Sequence, residues 1–176
     1  MNREQIHANA RFAGQVLRYH TWPVHRQQSV GEHTWQVMRI WSELWGPMMS
    51  EAVSAFILWH DAGELVTGDL PFPVKARNPD LKSKIDELED QAVYVMGGPA
   101  SSDNLISNVD SVRVKICDLL EMYEFGLCEV QMGNQFAKPI VDDIAASVTD
   151  MVGRLLPEDQ EKIKSYMSRV RQLICK

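Results

Sequence analysis

The sequence predicts an all-α protein, and three observations carry that expectation. Apolar residues recur at spacings of three and four in nearly every segment, period-2 alternation is hard to find, and Gly/Pro clusters punctuate the chain at helix-length intervals. At 176 residues the chain has the length of one domain, so the expectation is a single bundle of six to seven helices spanning 1–176.

Residues 3–19 read as a first helix, with Ile6, Phe12, Val16 and Leu17 on its apolar side. Trp22-Pro23 stops it, because proline restricts the residue before it. Residues 20–28 read as loop. Ser29 with Glu32 three residues on forms a capping-box pair, and Val30, His33, Val37, Trp41 and Leu44 follow on adjoining rows of a second helix that Gly46-Pro47 ends. A third helix, 50–65, is apolar nearly all round through Val53, Phe56, Ile57, Leu58 and Trp59, which places it at the centre. Gly68 and the prolines at 71 and 73 then make a turn. Residues 80–96 read as a charged amphipathic helix closed by Gly97-Gly98-Pro99, with a turn-rich stretch over 101–108 beyond it. Helices over 109–127 and 135–155 follow. A short last helix opens at Pro157, with acidic residues in its first turn and basic ones in its last, as the helix dipole favours.

Composition narrows the function classes. An apolar fraction of 45% with five tryptophans excludes disorder. Eighteen basic against twenty-four acidic side chains, a net charge of −6, lacks the basic footprint of a protein that binds nucleic-acid polymers. No apolar run approaches the roughly 20 residues of a membrane span, and MNREQIHANA has no signal-peptide core, so a cytoplasmic protein with no membrane partner is expected. Cys117, Cys128 and Cys175 lack C-x-x-C spacing and read as reduced thiols.

Chemistry concentrates after the third helix. His60-Asp61, then Glu64, then Asp69 interrupt an otherwise hydrocarbon stretch, and on a continuous helix 60, 61 and 64 would share a face. An imidazole beside a carboxylate suits a borderline divalent ion such as zinc, cobalt, manganese or iron, which would offset the burial of negative charge. His33 on the core side of the second helix and Asp118 in Val114–Leu120 are two further polar residues in apolar settings. Taken alone, each reads as a hydrogen-bonded core residue.

In the order His33, His60-Asp61, Asp118, the sequence resembles the H…HD…D pattern of the HD-domain metal-dependent phosphohydrolases. The flanks sharpen the likeness. Ser29-Val30-Gly31-Glu32-His33 resembles the family's first-histidine motif, and residues 60–75, HDAGELVTGDLPFPVK, are closely similar to bacterial 5′-deoxynucleotidases, as is Trp22-Pro23. The resemblance is strong over about 15–76, moderate around Asp118 and weak after about 130.

It implies that His33, His60, Asp61 and Asp118 hold one divalent metal ion and that metal-activated water attacks a phosphorus. Glu64 is implied as general acid/base, with Asp69 as its partner near the nucleophile or leaving oxygen. Trp22, which spacing alone reads as a core anchor, is implied to pack on the sugar and disfavour a 2′-hydroxyl. One departure stands out: the resembling enzymes carry a phosphate-contacting arginine immediately before Trp-Pro, where this chain has Thr21. Arg18, His20, Arg26 or Lys75 could replace that charge, and His20, His25, Arg26 and Lys75 would form a basic rim.

The expected reaction is hydrolysis of a 2′-deoxynucleoside 5′-monophosphate. Compact phage-type HD enzymes that strip triphosphate from deoxynucleotides such as dATP keep a triphosphohydrolase open. A nucleotide-binding protein without turnover and a structural bundle with a buried His/Asp network are the non-enzymatic readings. The expected partner is a small deoxynucleotide, and the resemblance implies a homodimer or higher homo-oligomer.

Overall fold

The computed structural model describes residues 1–99 and 106–174. It is all-α apart from a two-residue ladder: α1 (Arg3–Asn9), β1 (Leu17–Arg18), β2 (Gln28–Ser29), α2 (Val30–Trp45), α3 (Glu51–Trp59), α4 (Glu64–Thr67), α5 (Phe72–Arg77), α6 (Pro79–Met96), α7 (Asn108–Gln131), α8 (Lys138–Val152) and α9 (Pro157–Ile174). No described helix is long and apolar enough to cross a membrane.

The first helix is shorter than its periodicity predicts. Asn2 caps α1 with a reciprocal bond to Gln5, and after Asn9 the chain continues as 3₁₀ turns over Ala10–Gln15. Val16 to Arg18 leave the helix because their backbone pairs elsewhere. Leu17 and Arg18 lie antiparallel to Ser29 and Gln28, and the Val30 N–H donates to the Val16 carbonyl at 2.9 Å. Phe12 and Leu17, expected on the apolar side, are exposed. Gly14 and Gly31 let the two segments meet, since a Cβ on Gly31 would stand 3.0 Å from the Gly14 carbonyl oxygen.

The predicted third helix also breaks. After Trp59 the chain runs in i→i+3 turns, with the Ala62 N–H on the Trp59 carbonyl and the Glu64 N–H on the Asp61 carbonyl, before α4 resumes. Val53 and Ile57 are buried as predicted, whereas Leu58 is 56% exposed, so α3 is not apolar all round in its packing. A further short helix, α5, follows Pro71 where only a turn was expected, with proline in its first turn. Part of the predicted 101–108 turn lies outside the described residues.

Contacts divide the chain into two compact units. The first comprises Met1–Trp22, Gln27–Trp35 and Glu51–Leu105. Ala13, Ala62, Ala92, Val93 and Met96 are its buried cluster, with Ile6, Trp59 and Leu65 packed against them. Small residues set its spacing: a Cβ on Gly63 would lie 2.6 Å from the Cβ and the carbonyl oxygen of Glu89 on α6.

The second unit comprises Pro23–Arg26, Gln36–Ser50 and Ile106–Lys176. Ile116, Leu120 and Leu127 of α7, Val141, Ile144 and Val148 of α8, and Ile163 and Tyr166 of α9 are buried in it. Buried Asp159 and half-buried Glu124 are paired. Asp159 accepts from Trp45 Nε1 at 2.8 Å and Arg113 Nη2 at 2.7 Å, and Glu124 accepts from Arg39 Nη2 at 2.5 Å and from the Tyr166 hydroxyl. Cys117 is buried, Cys128 is exposed, and Cys175 lies outside the described residues.

Candidate metal and hydrolytic site

The second helix delivers His33 as the period predicted. Ser29 Oγ accepts the Glu32 N–H at 3.2 Å, starting the helix, and Val30, Val37, Trp41 and Leu44 are buried on the same side as His33. His33 itself is fully buried. His60 and Asp61 reach it not from a helix face but from the turn that follows α3.

That turn orients the imidazole. His60 Nδ1 lies 2.6 Å from the Ile57 carbonyl oxygen, so it carries the proton and donates, which leaves Nε2 with its lone pair free to ligate. His60 Nε2 lies 3.2 Å from His33 Nε2, and Asp61 Oδ2 lies 3.5 Å from each. Tetrahedral bonds of about 2.0–2.1 Å put neighbouring donor atoms about 3.3–3.4 Å apart. The edges of this triangle match that spacing, and two nitrogens with one carboxylate oxygen form a donor set for a borderline divalent ion. The three residues therefore fit the ion that the sequence implies.

Charge around the triangle is compensated. Arg18 is buried, 7% exposed, and its Nη1 stands 2.6 Å from Asp61 Oδ2. Glu64 opens α4 and is 5% exposed, and its Oε2 is buried without a hydrogen-bond partner among the described residues. Burial above all, then the negative charges of Asp61 and Asp69, push its carboxyl up to about 8 against the opposing pull of Arg18 and Lys75. A buried acid that holds its proton at neutral pH, with an oxygen uncommitted, can give that proton away.

The remaining predicted residues divide between the two units. Asp69 Oδ2 accepts the Tyr19 N–H at 2.9 Å. Lys75 is half-buried, with Nζ 3.6 Å from Glu89 Oε2. Trp22, at 36% exposure, is no core anchor, and His20 is exposed. His25 and Arg26 belong to the second unit. There the Arg26 guanidinium lies 5.4 Å over the Phe125 ring, while Glu129 accepts from the His25 and Arg26 N–H groups. Asp118 is on α7 in the second unit, 14% exposed at its side chain, with Lys115 Nζ 2.5 Å away.

Two residues escaped the sequence. Glu89, on the amphipathic α6, accepts from Thr67 Oγ1 at 2.6 Å besides facing Lys75, and burial raises its carboxyl above the ordinary range. Glu129, near the end of α7, is 1% exposed. Burial alone would raise its carboxyl, yet bonds from Asn134, His25 and Arg26 hold it below the usual range. Neither belongs to a motif, and a glutamate on an amphipathic helix reads as solvated.

Residues 14–169 match the protein family described as 5′-deoxynucleotidase YfbR-like. The chain belongs to that family. A dATP triphosphohydrolase of Salmonella phage PMBT28 is 32% identical over 118 residues, 60% of this chain and 58% of its own length. The 5′-deoxynucleotidase YfbR of Salmonella typhi is 27% identical over 135 residues, 64% of this chain and 68% of its own. This chain thus spans a little over half of the phage relative and about two thirds of the bacterial one. The solved structure of a cyanophage S-2L HD phosphohydrolase (DatZ), bound to dA and one catalytic Zn2+ ion, shares the fold with a TM-score of 0.70. It covers 94% of this chain and 95% of its own at 20% identity. The predicted all-α HD fold stands on that likeness together with the helices described above.

Proposed function

We propose that this protein is a metal-dependent phosphohydrolase acting on 2′-deoxynucleoside 5′-monophosphates, releasing deoxynucleoside and phosphate. The observation that carries the reading is the His33, His60 and Asp61 triangle set beside the buried Glu64, whose Oε2 has no hydrogen-bond partner among the described residues. Family membership and the hydrolase names of the relatives support it.

His33, His60 and Asp61 would hold the ion, with Asp118 supplying the fourth protein ligand that the family resemblance implies. When bound, a divalent ion of this class acts as a Lewis acid on a phosphoryl oxygen and lowers the pKa of a coordinated water. Arg18 holds Asp61 in place and, with Lys75, brings positive charge to a phosphate dianion. Water adds to phosphorus as the P–O5′ bond breaks, the Glu64 proton goes to the departing O5′, and the proton that the water gives up restores the Glu64 carboxyl. Asp69 adjoins that centre, and Trp22 lies against the sugar, where a 2′-hydroxyl would crowd it.

A triphosphate substrate is the second reading. Two observations favour it: the name of the phage relative, and Thr21 in place of the arginine that resembling monophosphatases carry before Trp-Pro. The site chemistry is common to both, since only the leaving chain differs. Product analysis on deoxy- and ribonucleoside mono-, di- and triphosphates, with cobalt, manganese, zinc or magnesium and with chelator, separates them. Inorganic phosphate from deoxymonophosphates that chelator abolishes is the expected result. Tripolyphosphate from a triphosphate establishes the second reading, and no release with any metal overturns both.

A further inference from the structure

One carboxylate fastens the turn that carries Trp22 to the segment that carries Glu64. Asp69 Oδ2 accepts the Tyr19 N–H at 2.9 Å, and the Trp22 N–H donates to the Tyr19 carbonyl at 2.9 Å, closing a four-residue turn. Tyr19 has φ 57, the one positive value at a non-glycine residue among those described. A bulky L residue leaves that region unless its surroundings hold it there. Upstream, the Arg18–Asp61 pair and the β1–β2 ladder fix the chain up to Tyr19. At Tyr19 itself the Asp69 bond ties the turn to the segment that carries Glu64, and beyond Trp22 the Pro23 carbonyl accepts from Asn134 Nδ2 at 2.6 Å. Trp22 is 36% exposed, and the turn sets where its Cα–Cβ bond leaves the backbone.

We infer that Asp69 is a positioning residue for sugar selectivity: through the Tyr19 N–H it sets the turn that aims Trp22, and thereby the preference for deoxyribose over ribose. The inference rests on the function proposed above. The bond requires an acceptor oxygen and no charge, which separates this role from any proton-handling duty of the same side chain. Asparagine keeps the acceptor and alanine removes it.

The test compares the metal-loaded wild type with Asp69→Asn, Asp69→Ala and Trp22→Ala. Calorimetric affinities for a non-hydrolysable 5′-phosphonate analogue of a deoxynucleoside monophosphate and for its ribose counterpart give the selectivity ratio. Amide exchange at Tyr19 and Trp22, followed by NMR, gives a readout independent of turnover. Asp69→Asn is expected to keep the wild-type ratio within about twofold and to keep the Tyr19 amide protected, whatever its rate. Asp69→Ala is expected to lower the ratio by at least about threefold, toward that of Trp22→Ala, and to speed exchange at the Tyr19 amide by about tenfold or more. A wild-type ratio in Asp69→Ala, or equal damage from Asp69→Asn, overturns the inference. Should Asp69→Ala not fold, the wild type still decides the tie, because a Tyr19 amide exchanging as in a free loop overturns it alone. A wild type that binds both sugars alike overturns the proposed sugar preference instead, with the Tyr19 protection intact.

Discussion

Arg18 Nη1 stands 2.6 Å from Asp61 Oδ2, on the same carboxylate oxygen that faces both imidazoles. A buried guanidinium on a ligating carboxylate fixes its orientation and offsets its charge while the ion is absent. Arg18→Ala is therefore expected to lower metal affinity about 10–100-fold, read by calorimetric titration of zinc or manganese into chelator-treated protein. An unchanged affinity removes Arg18 from the support of the site.

The triangle and the acid are separable. His60→Ala or Asp61→Ala is expected to abolish stoichiometric metal binding and turnover together, measured by elemental analysis and phosphate release. Glu64→Gln is expected to keep the metal and to lose about 10²–10⁴ in rate. Stoichiometric metal in either ligand variant, or a wild-type rate in Glu64→Gln, contradicts the assignment.

Glu64 also makes a prediction about stability in metal-free protein. Its folded value of about 8 lies above its ordinary 4.5, so the folded state holds the proton more tightly than the unfolded one. The contribution is complete below pH 4.5 and is lost as pH rises through about 8. Across that window the wild type should lose denaturant stability relative to Glu64→Gln, and parallel pH profiles would show an unperturbed carboxyl.

Much of this was legible in the sequence because it is periodic. The row Val30, His33, Val37, Trp41 and Leu44 has spacings of three and four, and all five are buried. The break after Trp59 was not legible, because Trp59, Ala62, Leu65 and Val66 keep helical spacing across it. What ends α3 is in part non-local, since Gly63 must admit the Glu89 backbone, and in part a local bond of the His60 ring to the Ile57 carbonyl that the apolar spacing does not announce. Likewise Val16 and Leu17 fit a helical pattern, yet their backbone is claimed by residues 28–30, which no local window contains. The histidines and the HD pair were readable as chemistry, whereas Glu89 and Glu129 acquire meaning only from partners far along the chain.

Glu129 anchors the Pro23–Arg26 segment within the second unit. Asn134 Nδ2 joins it to the Pro23 carbonyl at 2.6 Å, and the two backbone N–H groups of His25 and Arg26 end on its carboxylate. Glu129→Ala is expected to destabilise the fold by about 1–3 kcal/mol in all, measured by denaturant unfolding. Because its carboxyl is held below the ordinary range, its contribution is present above pH 4.5 and fades as pH falls through the folded value. Wild-type stability in the variant would show that the segment is held by other means.

Gly63→Ala is expected to cost about 1–3 kcal/mol by overpacking, visible as a lowered thermal midpoint. Glu89→Ala should not rescue it, since the Cα, Cβ and carbonyl oxygen that the new methyl meets would all remain. The run His60-Asp61-Ala62-Gly63-Glu64 is thus written in two alphabets: three letters are chemical, and Ala62 and Gly63 are steric, small because α6 passes over them. A graft of these five residues onto another helical scaffold would carry the donors and the acid but not the neighbour that dictates their spacing. The smallest transplantable version of this site includes α6.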